Sequence, residues 1–124
     1  MTALEAIRGA LVPVTTKYGW PIEPTIYDGD SRYYITYNYA DDRGEDFGDS
    51  APGCNLASMQ IHFFMPQRDG KKLLSYQGYK KEIREALFAA DFTYPAVTVI
   101  PEHDADRQSD IWHICFECEF IEDL

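Results

Sequence analysis

The chain predicts an α+β domain: a mainly antiparallel four-stranded sheet with two helices packed on one face, in the order α-β-β-α-β-β, with a long acidic loop in the first hairpin. Three observations carry this. Two segments repeat apolar residues at intervals of three and four, the period of a one-faced helix. Four others are rich in β-branched or aromatic residues, and most of them alternate apolar with polar positions. Neighbouring strands follow closely enough to pair as hairpins, which favours antiparallel pairing over the long crossovers of a parallel sheet.

The elements follow in order. Thr2-Ala3-Leu4-Glu5 has the form of a capping box, the Thr2 hydroxyl accepting from the Glu5 amide while the Glu5 carboxylate reaches back. Leu4, Ile7 and Leu11 then form one apolar stripe, and the helix is expected to end before Pro13. From Pro13 to Gly29, prolines at 13, 21 and 24 with Gly19 and Gly29 predict extended chain with room for a short edge strand. The first full strand spans Arg32 to Ala40, with Tyr33, Ile35, Tyr37 and Tyr39 pointing one way. Asp41 to Asn55 gathers acid and glycine around Phe47 and reads as a loop. Leu56 to Met65 is the second strand, with Met59, Ile61, Phe63 and Met65 on one side, and Pro66 is expected to stop it. Tyr76, Tyr79, Ile83, Leu87 and Ala90 space a helix from Ser75 to Ala90, with Gly78 in its first turn. Ala96 to Pro101 is a short strand. Asp110 to Ile121 is the last, with Trp112, Ile114, Phe116, Cys118 and Phe120 facing the core.

At 124 residues, with 45% hydrophobic and 15% aromatic residues, the chain suits one domain spanning residues 1–124 and is far from the composition of a disordered protein. No apolar run approaches the ~18 residues of a membrane span, and the first residues lack the pattern of a signal peptide, so the expected location is intracellular, without a membrane partner. Three cysteines cannot close a disulfide framework, and free thiols are the simpler reading.

The 11 basic and 21 acidic residues give a net charge of −10, which opposes wrapping of nucleic acid or binding to anionic lipid. The charges are segregated. Arg68, Lys71, Lys72, Lys80, Lys81 and Arg84 fall close together, whereas acid collects in Asp41, Asp42, Glu45, Asp46 and Asp49, in Glu102, Asp104, Asp106 and Asp110, and in Glu117, Glu119, Glu122 and Asp123. Segregation of this kind is commonly a solvated surface, but opposed faces also let copies meet head to tail and close into rings.

Catalytic patterns are thin. Cys115-x-x-Cys118 lies on a strand, where positions three apart face opposite sides, so it does not make a thioredoxin-type pair. His62, His113 and Cys115 share a face if their strands are neighbours, which makes a metal site conceivable, although single histidines on exposed sheet faces are commoner than ligands. The acidic loop lacks the ligand order of an EF-hand, and no nucleophile elbow, phosphate-binding loop or dinucleotide fingerprint is present. No enzymatic activity and no cofactor are therefore expected. Acid around one aromatic residue resembles a segment that orders on docking, with Phe47 as anchor and the charges steering; an ordinary flexible hairpin tip has the same composition.

Four segments carry a family likeness: Tyr37-Asn38-Tyr39-Ala40-Asp41-Asp42-Arg43; Gln60-Ile61-His62-Phe63-Phe64-Met65-Pro66; Lys81 to Phe88 followed by Phe92-Thr93-Tyr94-Pro95; and His113-Ile114-Cys115-Phe116-Glu117-Cys118-Glu119. Together, over about residues 2 to 121, the chain resembles the small tail terminator or tail-completion proteins of long-tailed bacteriophages and prophages, particularly those of Gram-positive hosts. The resemblance implies a structural protein, commonly a hexameric ring, that caps the head-proximal end of the tail tube, ends tube polymerisation and offers a surface for joining the head. The implied partners are copies of itself, the tail-tube protein and the head-completion or connector protein. DNA would pass through the channel only, repelled by an acidic lining. The implied locations are the host cytoplasm during assembly and the virion tail. On this reading Asp41, Asp42, Glu45, Asp46, Phe47 and Asp49 are docking residues, and Lys71, Lys72, Lys80, Lys81 and Arg84 form the complementary face. Two alternatives remain: a small acidic inhibitor that mimics DNA, against which the basic helix argues, and a metal-dependent enzyme built on His62, His113 and the acidic loop.

Overall fold

A computed structural model describes the backbone of residues 1–40, 54–67 and 70–123, and all of their side chains except those of 54, 70–75 and 123. The elements are α1 (Ala3–Tyr18), β1 (Ile22–Pro24), β2 (Tyr34–Tyr39), β3 (Cys54–Pro66), α2 (Gly70–Ala89), β4 (Ala96–Asp104) and β5 (Ser109–Asp123). The α+β class holds. The expectation of four strands does not, because the sheet has five in the order β1-β2-β3-β5-β4, and β1 runs parallel to β2. The short β1 forms where the Ile35 amide donates to the Pro21 carbonyl and the Thr25 amide to the Tyr37 carbonyl, both at 2.9 Å. All other pairings are antiparallel, and β5 lies between β3 and β4.

The capping box at Thr2 and Glu5 forms as the sequence reads. Helix α1, however, runs on through Pro13 to Tyr18. A proline inside a helix forfeits its bond to the carbonyl four residues back and costs about 3 kcal/mol or more in isolation. Burial of Val14 and Thr15 against the core offsets that cost here, and Gly19 ends the helix in the left-handed region at φ 73°, its amide donating to the Thr15 and Thr16 carbonyls. Helix α2 begins at Gly70, earlier than its apolar spacing suggests, so Gly78 lies in its interior.

Strand alternation sets the core. Ile35, Tyr37, Met59, Ile61, Phe63, Met65, Ile114, Phe116 and Cys118 form one cluster with Ile7 and Leu11 of α1 and Ile83 and Leu87 of α2, all essentially removed from water. Both helices therefore cover this face. At the β1 end it is finished by aromatic packing, with Trp20 between Tyr18 (4.5 Å between centroids), Phe63 (4.6 Å) and Tyr79 (4.9 Å).

One acid of the C-terminal group is inside the protein. Glu122 shares the inward phase of Phe116, Cys118 and Phe120, and is 6% exposed. Its carboxylate accepts from the Ala3 amide (2.7 Å), the Tyr39 hydroxyl (2.6 Å) and the Asn55 side-chain amide (3.0 Å). It thus pins the N-terminus of α1 to β2, β3 and β5, where the free amides and the helix dipole favour an anion. Burial works to raise the carboxyl pKa, but these hydrogen bonds win and hold it below its usual value. Burial and the Glu122 carboxylate together push Tyr39 up to about 12.

Candidate functional site

The docking residues expected in the first hairpin, Asp41, Asp42, Glu45, Asp46, Phe47 and Asp49, lie outside the described residues. Lys71 and Lys72 are on the first turns of α2, and their side chains also lie outside the description. The other half of the expected basic face is in view. Lys80 sits over the Tyr76 ring at 5.3 Å, and Lys81 is 4.0 Å from Glu85 one turn on. Arg84 is the most firmly placed, its Nε donating to the Pro95 carbonyl at 2.9 Å while its guanidinium covers the Tyr94 ring at 4.8 Å. Beyond it Phe88 meets Tyr94 edge to face, 5.7 Å between centroids, yet the two rings stay 59% and 54% exposed. Arginine and aromatic residues are enriched at the centres of protein interfaces. Burial of the apolar face of α2 turns these residues outward, and the loop through Pro95 brings Tyr94 up to them.

Strand β4 also leaves apolar side chains uncovered. Pairing of β4 with β5 sets Val97 opposite Phe116 and Val99 opposite Ile114, on the helix-covered side. The helix layer stops short of this edge, so Val99 is 42% exposed and Val97 only partly covered. The strand also runs past Pro101 to Asp104, three residues beyond the sequence expectation. Reading Ala96 to Pro101 as a short strand does not show which side Val97 and Val99 take, nor that nothing covers them.

The uncovered side of the sheet carries a chain of polar contacts across four strands. Glu102 bonds His113 Nδ1 (2.8 Å), His113 Nε2 meets His62 Nδ1 (2.7 Å), and His62 Nε2 meets the Asn38 side-chain oxygen (2.8 Å). Burial and the neighbouring His113 push His62 down to about 4, so it is neutral at pH 7. The expected juxtaposition of His62, His113 and Cys115 on one face is present, since His62 lies opposite Cys115 and Phe64 opposite His113. Their arrangement is a hydrogen-bonded pair held from both ends, and among the described residues no group of three or more His, Cys, Asp or Glu is disposed to hold a metal ion. Burial raises the Cys115 thiol and drives Cys118 up to about 12, which disfavours thiolate at both. Alongside, Tyr27, Tyr34, Phe64 and His113 stack in sequence at 4.6 to 4.7 Å. Their faces are spent on one another.

At one end of this side the β4–β5 turn crosses back over the sheet. Arg107 pairs with Asp104 at 3.3 Å, donates to the Gly29 carbonyl and lies over Tyr34 at 5.2 Å. Asp28, Asp30 and Asp106 line the cavity of about 410 Å³ around it. No helix among the described residues is long and apolar enough to cross a membrane. Compared with protein-family models and with curated proteins, the chain matches none.

Proposed function

We propose that this chain is a structural assembly protein that works by contact with other protein surfaces, as a ring-forming cap at the head-proximal end of a phage tail tube. The observation that carries the reading is the patch of Arg84, Phe88 and Tyr94, in which both rings are exposed. A surface that leaves two aromatic rings beside a placed arginine is suited to being covered. Charge segregation supports the same conclusion, because the basic residues of α2 and the acidic residues 41–49 offer opposite signs for a head-to-tail contact between copies. In a ring the acidic loop of one copy would dock on Lys71, Lys72, Lys80, Lys81 and Arg84 of the next, with Phe47 as its apolar anchor. The free outer surfaces would then meet tail-tube and head-completion partners.

The test removes each half in turn. Deleting residues 43–53 is expected to leave the monomer folded and to abolish rings and capping, as measured by light scattering and by the length of tail tubes assembled in its presence. Phe88→Ala with Arg84→Glu should do the same from the other side. Normal capping by both variants, or turnover of a substrate by the purified protein, overturns the reading.

A further inference from the structure

The two margins of the sheet end differently, and β4 is the one that remains able to pair. The Gln67 amide donates to the Asp110 carbonyl at 3.0 Å, so the backbone groups of even-numbered β5 residues face β3 and those of odd-numbered residues face β4. Through the register of Ile100 with His113 and Thr98 with Cys115, the even-numbered residues of β4 face β5 and the odd-numbered ones face outward. Pro101, which has no amide hydrogen, falls on an outward position, where its absence breaks no ladder bond. At the strand's start the next outward residue is Pro95, whose carbonyl is already taken by Arg84. Between these two prolines the N–H and C=O groups of Val97 and Val99 point away from the sheet, and among the described residues no backbone partner meets them.

A row of two donors with acceptors at the strand spacing is matched by another extended backbone. The side chains around it specify more. On the helix-covered side the exposed Val99 and the partly covered Val97 present apolar side chains. On the other side the neighbours are Thr98, Ile100 and the carboxylates of Glu102 and of Glu117, the β5 residue opposite Ala96. Glu102 is 41% exposed. The carboxylates of Glu102 and Glu117 draw a cationic segment to this edge.

We propose that β4 is a strand-acceptor site that takes an extended segment of another protein as a sixth strand, with alternate residues apolar toward Val97 and Val99 and basic toward Glu102 and Glu117. Strand addition supplies affinity through the backbone, and the alternating side chains supply selectivity. The site stands independently of whether copies of the chain form rings.

The full chain is titrated with an end-blocked octapeptide of alternating valine and lysine, and amide hydrogen exchange is followed residue by residue. At peptide concentrations about ten times Kd, exchange of the Val97 and Val99 amides is expected to slow roughly tenfold, while the other surface amides are unchanged. Val99→Pro removes one outward donor and should abolish the effect; Val99→Lys, which places a cation on the edge and keeps the backbone donor, should abolish it too and serves if the proline variant fails to fold. A peptide of alternating valine and glutamate should give no protection. The proposal is overturned if the lysine peptide leaves Val97 and Val99 unprotected, if the glutamate peptide protects them equally, or if Val99→Lys retains the protection. It is also overturned if the chain alone dimerises with these amides protected, which would make a second copy the occupant.

Discussion

The β1 and β4 margins of this sheet show how differently one fold can treat two exposed strands. At β1 the chain closes much of its own edge. Pro21 and Thr25 spend their backbone groups on β2, so Ile22 and Pro24 face out; the Ile22 carbonyl accepts from Arg8 at 3.3 Å, the Pro24 carbonyl from the Ile26 amide at 2.8 Å, and Pro24 has no donor to leave unpaired. At this end of the core Trp20 packs among aromatic neighbours and Ile22 is buried. At β4 the strand is three times as long, its outward groups between Pro95 and Pro101 lack backbone partners among the described residues, and the helices leave Val99 in water. Unprotected edges are liabilities that proteins ordinarily shorten, charge or cover. On the proposed reading, the open margin is the one kept for contact.

Substitutions at the two margins sharpen this contrast. At the covered end, Trp20→Ala removes the ring that joins Tyr18, Phe63 and Tyr79, and should lower stability by about 3–5 kcal/mol in urea unfolding. A loss under about 1 kcal/mol would mean that the β1 end is not closed by this packing. Next comes Glu122→Gln, which keeps the shape but weakens the bonds to Ala3, Tyr39 and Asn55; a loss of about 1–3 kcal/mol is expected at pH 7. Because the folded carboxyl titrates below its ordinary value of 4.5, the stability it contributes is present above that pH and disappears as the pH falls through the folded value. Stability measured against pH should therefore drop less steeply below 4.5 in the glutamine variant.

Midway across the sheet, His62 supplies a smaller effect with its own window. Its folded value of about 4 lies below the ordinary 6.5, so between those limits the unfolded chain binds the extra proton and stability falls as the pH is lowered from 6.5 to 4. His62→Gln should flatten that part of the curve in thermal melts recorded across the range. An unchanged slope would place the titration elsewhere. The smallest effect is expected at the open margin, where Val99→Lys should change the free energy of unfolding by no more than about 0.5 kcal/mol, since a side chain 42% exposed is not part of the packed interior. A large loss there would show that the β4 edge is structural.

Particular residues show how much of this was readable beforehand. The inward phase of Met59, Ile61, Phe63 and Met65 and of Trp112, Ile114 and Phe116 follows directly from alternation, because a strand's side chains have a period of two. The same phase assigns Glu122 to the core, yet its charge draws it into the acidic surface group when composition is read alone. Its burial depends on the Ala3 amide, 119 residues away in the chain. Pro13 misleads in the opposite direction: local preference ends the helix there, and burial of Val14 and Thr15 carries it to Tyr18. Of the expected docking residues, Arg84 could be placed on the outward face of α2 from spacing, but its bond to Pro95 and its stacking on Tyr94 join elements that no local pattern connects. Alternation puts His62 and His113 on one face, but no local pattern shows the Glu102 carboxylate and Asn38 amide that hold them from either end.

Composition and periodicity by themselves determined the α+β class, the two amphipathic helices, the inward side of each long strand and the separation of charge, since each follows from the intrinsic geometry of a helix or strand and from counting. Only the tertiary structure decided that β5 enters between β3 and β4, that β1 closes much of its own edge, and that Val97 and Val99 remain open. Those outcomes depend on which backbone groups find partners once distant segments meet, and that competition is settled across the whole chain at once.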